Sequence, residues 1–148
     1  NVNLQNIYIL SEKELEEKKK ETTDSMQKAR LESEMQTNYE TLYNSIMYGD
    51  YYLCLISEDV FLDYESRLDS SIFAPIGGYT ADGAEYSYAS ERGIYLSSLE
   101  VYETTALSML PDDTVVCIRL PGVLGARDDG KAYAAAEDML RKILSYGK

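Results

Sequence analysis

The chain contains no histidine and no tryptophan, and its aromatic residues are 14 tyrosines with two phenylalanines. Without histidine it lacks the usual general base near neutral pH and the commonest metal ligand. No run of 18 apolar residues occurs, so no segment reads as a membrane-spanning helix. Basic residues are scarce outside one stretch. Residues 11–30 hold six acids and six bases, and the remainder holds 20 acids against eight bases, for a net charge of −12. Binding to nucleic acid or to an anionic membrane surface depends on Lys and Arg displacing counterions, so neither partner is expected. Several motifs are also missing: the G-x-S-x-G elbow, CxxC pairs, H-E-x-x-H, G-x-G-x-x-G and the D-x-[DN]-x-[DN]-G calcium loop. No catalytic residue, metal site or cofactor is assigned.

What is present suits one globular domain. A chain of 148 residues with 45% hydrophobic and 27% charged content is long enough to bury a core and too apolar for wholesale disorder. It begins at Asn1 without Met, which suggests a mature or truncated form from which a signal or anchor segment was removed. Cys54 and Cys117 each sit in an apolar strand candidate and read as buried thiols. Whether they are bonded to each other is left open, because that depends on distance and direction.

The expected elements alternate. Asn1–Leu10 ends in an apolar run and reads as a strand. Ser11 and Glu14 form a capping box that opens a polar helix, largely solvated or partly flexible, over residues 11–30. A core-facing helix follows, with Leu31, Met35, Tyr39, Leu42, Tyr43 and Ile46 at spacings of three and four. Gly49 breaks it, Tyr51–Ile56 is a buried strand, and Ser57 caps a helix that starts with Glu58 and Asp59 and turns Val60, Phe61 and Tyr64 inward. Phe73–Ile76 is a short or edge strand because of Pro75. Residues 77–93 are turn-rich and hold Asp82-Gly83, a hairpin signal. Ile94–Leu96 is a short strand, and Ser97 with Glu100 forms a second capping box. Thr114–Leu120 is the second buried strand. Asp128 or Asp129 then caps a final helix whose inner stripe is Tyr133, Ala136, Met139, Leu140, Ile143 and Leu144, with Gly147 as its stop. This order predicts an α/β fold in three layers, a mostly parallel or mixed sheet flanked by helices.

Three constellations bear on chemistry. Gly125, Gly130 and Lys131 match G-x-x-x-x-G-K, but Ala132 replaces the magnesium-binding hydroxyl, and Asp128 and Asp129 would repel a polyphosphate. The acid pairs Glu58/Asp59, Asp112/Asp113 and Asp128/Asp129 are adjacent in sequence and read as helix caps and turn residues, not as carboxylates facing each other across a cleft. Tyr79, Tyr86 and Tyr88 lie among Gly, Ser, Thr and Asp, the composition of binding loops. They equally suit a hairpin whose tyrosines cover the sheet edge. Tyr48, Tyr51 and Tyr52 read either as crevice lining or as core.

The segment YGDYYLCLISEDVFLDY (residues 48–64), with LYNSIM ahead of it, resembles the central part of the first lobe of bacterial extracellular solute-binding proteins. FAPI at 73–76 and LPDDTVVCIRLP at 110–121 are similar to the loop and strand entry that follow there. The likeness spans residues 35–120. Members of that family have two lobes, and this chain has room for about one, so the resemblance implies a fold similar to a single lobe. It further implies an extracytoplasmic, membrane-tethered binding or sensing module without enzymatic activity, attached through an anchor outside this chain, with a saccharide or peptide as ligand. No binding residue of the family transfers by motif. The candidate ligand contacts, Ser57 and Glu58 at the rim with Tyr79, Tyr86 and Tyr88, come from position and composition alone. The alternative is a cell-surface protein-interaction or scaffold domain with no small ligand.

Overall fold

The computed structural model describes residues 5–49, 51–67, 72–121 and 130–148. The chain divides into two compact units, Asn1–Gly49 and Asp50–Lys148.

The first unit is helical, with α1 (Glu12–Glu21) and α2 (Ser25–Tyr48). The Ser11 capping box forms as expected. Glu14 N–H donates to Ser11 Oγ at 3.2 Å and Ser11 N–H donates to the Glu14 carboxylate at 2.9 Å. Donation from the Ser11 N–H and hydroxyl to that carboxylate holds the Glu14 carboxyl below its usual range. Asp24 caps α2 by accepting from Met26 N–H. Lys19 of α1 pairs with Glu16 on its own helix and with Glu32 on α2, a surface link of small energetic weight.

The strand expected over Asn1–Leu10 is corrected, for residues 5–10 have no regular structure and the first four lie outside the described residues. The reason is visible in the packing. Leu10 is buried, its N–H reaches Met35 Sδ at 3.5 Å, and Asn38 Nδ2 donates to the Tyr8 carbonyl at 2.8 Å. This apolar run is satisfied along α2 instead of in a sheet. On α2 itself Met35, Leu42, Ile46 and Met47 are buried, while Tyr39 and Tyr43, expected to face a core, remain exposed.

The second unit carries the α/β fold. Four strands, β1 (Leu53–Ser57), β2 (Tyr88–Ser90), β3 (Gly93–Tyr95) and β4 (Thr114–Ile118), form one sheet in the order β1-β4-β3-β2. The expectation of a mostly parallel or mixed sheet is corrected, since every pairing among the described residues is antiparallel. The chain passes through α3 (Glu58–Arg67) and a hairpin before β4 returns between β1 and β3, running opposite to both. A parallel neighbour would have required a helical crossover back into the adjacent position.

Two faces of the sheet are covered. The α3 face holds Phe61, in contact with Phe73 at 5.3 Å between ring centroids. A Cβ at Gly93 would lie 2.6 Å from Val115 Cγ1 and 2.7 Å from Phe61 Cζ, so strand and helix close directly over the glycine. The opposite face packs Ile94, Val116 and Ile118 with Leu140 and Leu144 of α5 (Gly130–Ser145). Sandwiched this way, β4 is buried along its whole length. Phe73 bridges to Arg119, just past the end of β4.

Smaller departures have local causes. Asp82-Gly83 makes a turn, with Gly83 at φ +73°, but the tight β2–β3 hairpin turns one stretch later, at Glu91-Arg92. The second capping box does not form. Ser97 sits in a single 3-10 turn and donates its hydroxyl to the Asp112 carbonyl at 2.9 Å, and α4 (Glu100–Thr104) starts after Leu99 without a side-chain cap. On α5 the expected stripe holds except at Met139, which is exposed. The caps proposed for that helix, Asp128 and Asp129, lie outside the described residues, as does Gly125. Gly147 ends it at φ +75°.

Candidate functional site

The five candidate residues fall into two places. Ser57 is the last residue of β1 and pairs with Thr114; the next residue, Glu58, donates its N–H to the Asp113 carbonyl at 2.9 Å. The Glu58 side chain takes a hydrogen bond from Tyr95, which raises the Tyr95 phenol above its ordinary range. The three tyrosines lie elsewhere. Tyr88 is on β2, at the opposite edge of the sheet from β1. Three strand spacings separate those edges, roughly 14 Å. The structure therefore does not bring Ser57 and Glu58 together with Tyr88 in one site.

Segment 76–88 is tied to α5 through its tyrosines. Tyr79 donates its hydroxyl to Glu137 Oε2 at 2.8 Å and lies 3.3 Å from the Tyr133 hydroxyl. The Arg141 guanidinium stands over the Tyr79 ring at 5.1 Å, near enough for a cation–π contact. Tyr86 donates to the Leu144 carbonyl at 2.9 Å and accepts from Ala81 N–H at 3.0 Å. Both hydroxyls are thus spent on holding the segment to the helix. Tyr88 differs. Its ring meets Tyr86 edge-on at 6.3 Å, yet the residue is 48% exposed. The aromatic pair restricts the Tyr88 ring without covering it.

Burial, with the Tyr133 and Glu137 bonds, pushes the Tyr79 phenol far above its ordinary value. A raised folded-state value means that the fold favours the protonated phenol. The associated stability is complete below the unfolded phenol range and is lost as pH rises through the folded one. Replacing Tyr79 with Phe is expected to cost about 1 kcal/mol near neutral pH through the lost hydrogen bond. The variant should also lose less stability than the wild type between about pH 9 and pH 11. Urea midpoints across that range check both statements. Parallel pH profiles would show that the Tyr79 hydroxyl has no such role.

The acids near these residues already serve links between elements. Glu137 accepts from Tyr79, Glu58 from Tyr95, and Glu65 of α3 from Ser90 Oγ at 2.8 Å. Such pairs join helix to loop or helix to strand, and they set the shape of the unit more directly than they supply reactive groups. Among the described residues no three His, Cys, Asp or Glu side chains converge as a metal site, and no helix is long and apolar enough to cross a membrane.

Glu137, and Arg141 beyond its charge near the negative end of the last helix, were not singled out from the sequence, nor was Tyr95. A signal for the first two was available: Tyr133, Glu137 and Arg141 recur every four residues on one face of α5. Tyr95 carried none, because its partner lies 37 positions away in the chain. Comparison with known proteins finds no matching family model, no matching curated protein and no matching solved structure.

Proposed function

We propose that the chain is a non-enzymatic extracytoplasmic binding or sensing module, held at the bacterial membrane by an anchor outside these residues, and that its ligand, a saccharide or a peptide, docks on Tyr88. The observation that supports this is the anchored aromatic group. Tyr79 and Tyr86 fix the loop to α5, and Tyr86 steadies an exposed Tyr88 ring. A ring held in place loses little entropy when a sugar face or a peptide side chain stacks on it. The likeness to one lobe of the solute-binding proteins belongs to the same proposal. Its support is the β1–α3 unit, where an apolar edge strand delivers Ser57 and Glu58 to the start of a helix. The antiparallel sheet lends it none.

A thermal-shift panel of saccharides, amino acids and short peptides tests the reading. A ligand present at about a hundredfold excess over its Kd should add about 2.7 kcal/mol of stability. A flat response across the panel would remove solute capture.

One observation favours a second reading, a protein-interaction or scaffold domain. Met109 of the second unit is 86% exposed, a side chain better suited to a protein partner than to a sugar. Under that reading the small-molecule panel stays flat, and Tyr88→Ala leaves capture of a partner intact while Met109→Ser weakens it.

A further inference from the structure

Cys54 and Cys117 are directly opposed in the β1–β4 ladder. Neighbouring bonds fix what kind of pair they make. Arg119 N–H donates to the Tyr52 carbonyl at 2.8 Å and Glu58 N–H donates to the Asp113 carbonyl at 2.9 Å, and hydrogen-bonded pairs recur at every second residue of an antiparallel ladder. Cys54 and Cys117 stand two residues from the first of these, so they too form a hydrogen-bonded pair. Their Cα atoms are then about 5.5 Å apart, inside the span of about 4.4–6.8 Å that a disulfide bridges, while Cβ atoms of such a pair are about 5.5 Å apart, so closure draws the two side chains together by about 1 Å.

The side chains agree with the backbone. Successive residues of a strand alternate faces, so directly opposed residues share one. Cys117 Sγ lies 3.9 Å from the Cys54 carbonyl, and Cys54 Sγ lies 3.6 Å from the Tyr52 carbonyl. Both are free thiols, Cys117 wholly buried and Cys54 8% exposed on the edge strand. They are also unequal. The Cys117 thiol and the Arg119 charge favour a Cys54 thiolate, whereas burial pushes the Cys117 thiol well up.

We propose that Cys54 and Cys117 form a redox pair that hydrogen peroxide closes into a cross-strand disulfide, fixing edge strand β1 to central strand β4. In the first step the Cys54 thiolate attacks one peroxide oxygen and the O–O bond breaks. Cys54 becomes a sulfenic acid, and the departing oxygen leaves as water after taking a proton. In the second step Cys117 sulfur attacks the sulfenic sulfur, the S–O bond breaks, and the hydroxyl departs as a second water carrying the Cys117 proton. Two thiols and one peroxide become one disulfide and two waters. Closure joins residues 63 positions apart and removes the freedom of β1 to open from the sheet edge.

The test treats the intact, native chain with hydrogen peroxide. Closure predicts loss of both titratable thiols, a monomer lighter by two hydrogens, and a 54–117 link in non-reducing peptide maps. Hydrogen-exchange protection of the Leu53–Ser57 amides should rise after oxidation and return on reduction. Dimedone added with the peroxide should label Cys54 in Cys117→Ser, whose hydroxyl keeps a donor beside residue 54, about tenfold faster than Cys117 in Cys54→Ser. The peptide map and the exchange data come from the unaltered chain, so they decide the matter even where a variant fails to fold. Persistence of both thiols, addition of oxygen without the link, bonds between chains, or equal labelling of the two variants would each overturn the proposal.

Discussion

Replacing Phe61 with Ala is expected to destabilise the sheet unit by about 3–5 kcal/mol, the range for truncating a buried aromatic side chain. Phe61 is fully buried, meets the Phe73 ring at 5.3 Å and stands over the Gly93–Val115 junction. Removal therefore empties the contact through which α3 closes one face of the sheet. Domains of this size are commonly stable by about 5–15 kcal/mol, so the loss is a large share of the total. Urea unfolding followed by far-UV circular dichroism should show a much lower midpoint. A shift below about 1 kcal/mol would mean that α3 does not pack as described.

Gly93→Ala is the second large effect, and its sign is the informative part. In an open strand position, exchanging Gly for Ala stabilises by about 0.4–1 kcal/mol through the unfolded chain. Here the added methyl would sit 2.6 Å from Val115 Cγ1 and 2.7 and 3.0 Å from Phe61 Cζ and Cε1. Overpacking of this kind typically costs about 1–3 kcal/mol, so the substitution should destabilise. The two changes also share a space. In Phe61→Ala/Gly93→Ala the shortened residue 61 relieves part of the clash, and the combined loss should fall short of the sum by about 0.5 kcal/mol or more. Additive losses, or a stabilised Gly93→Ala, would contradict the close approach of α3 to the sheet.

Much of the second unit was legible in the sequence. The runs YYLCLI at 51–56 and TVVCIRL at 114–120 marked β1 and β4 to within two residues at each end, and Val60, Phe61 and Tyr64 marked the inner face of α3, because spacing alone determines which side of a helix is apolar. Strand direction was not legible. A strand covered on both faces is apolar at every position whether its neighbours run parallel or antiparallel, and β4 is buried at all five of its residues. The apolar run before Ser11 was ambiguous in the same way, since burial beside Met35 on α2 satisfies Leu10 as well as a sheet would.

The candidate site was legible by residue type and not by arrangement. Composition identified Tyr79, Tyr86 and Tyr88 as a group, but no local pattern states that Glu137 and the Leu144 carbonyl, 58 positions distant in each case, take the first two hydroxyls. Those long-range bonds separate the anchors from the exposed ring. Ser57 and Glu58 were grouped with the tyrosines on the expectation of a common rim. The sheet order instead places β1 and β2 on opposite edges.

The most direct test of Tyr88 as the docking point is the ligand panel run in parallel on the wild-type chain, Tyr88→Ala and Ser57→Ala, read as the thermal shift at saturating ligand. The account predicts a saccharide or peptide that shifts the wild type and Ser57→Ala equally and leaves Tyr88→Ala unmoved. A ligand that shifts Tyr88→Ala as much as the wild type would contradict it.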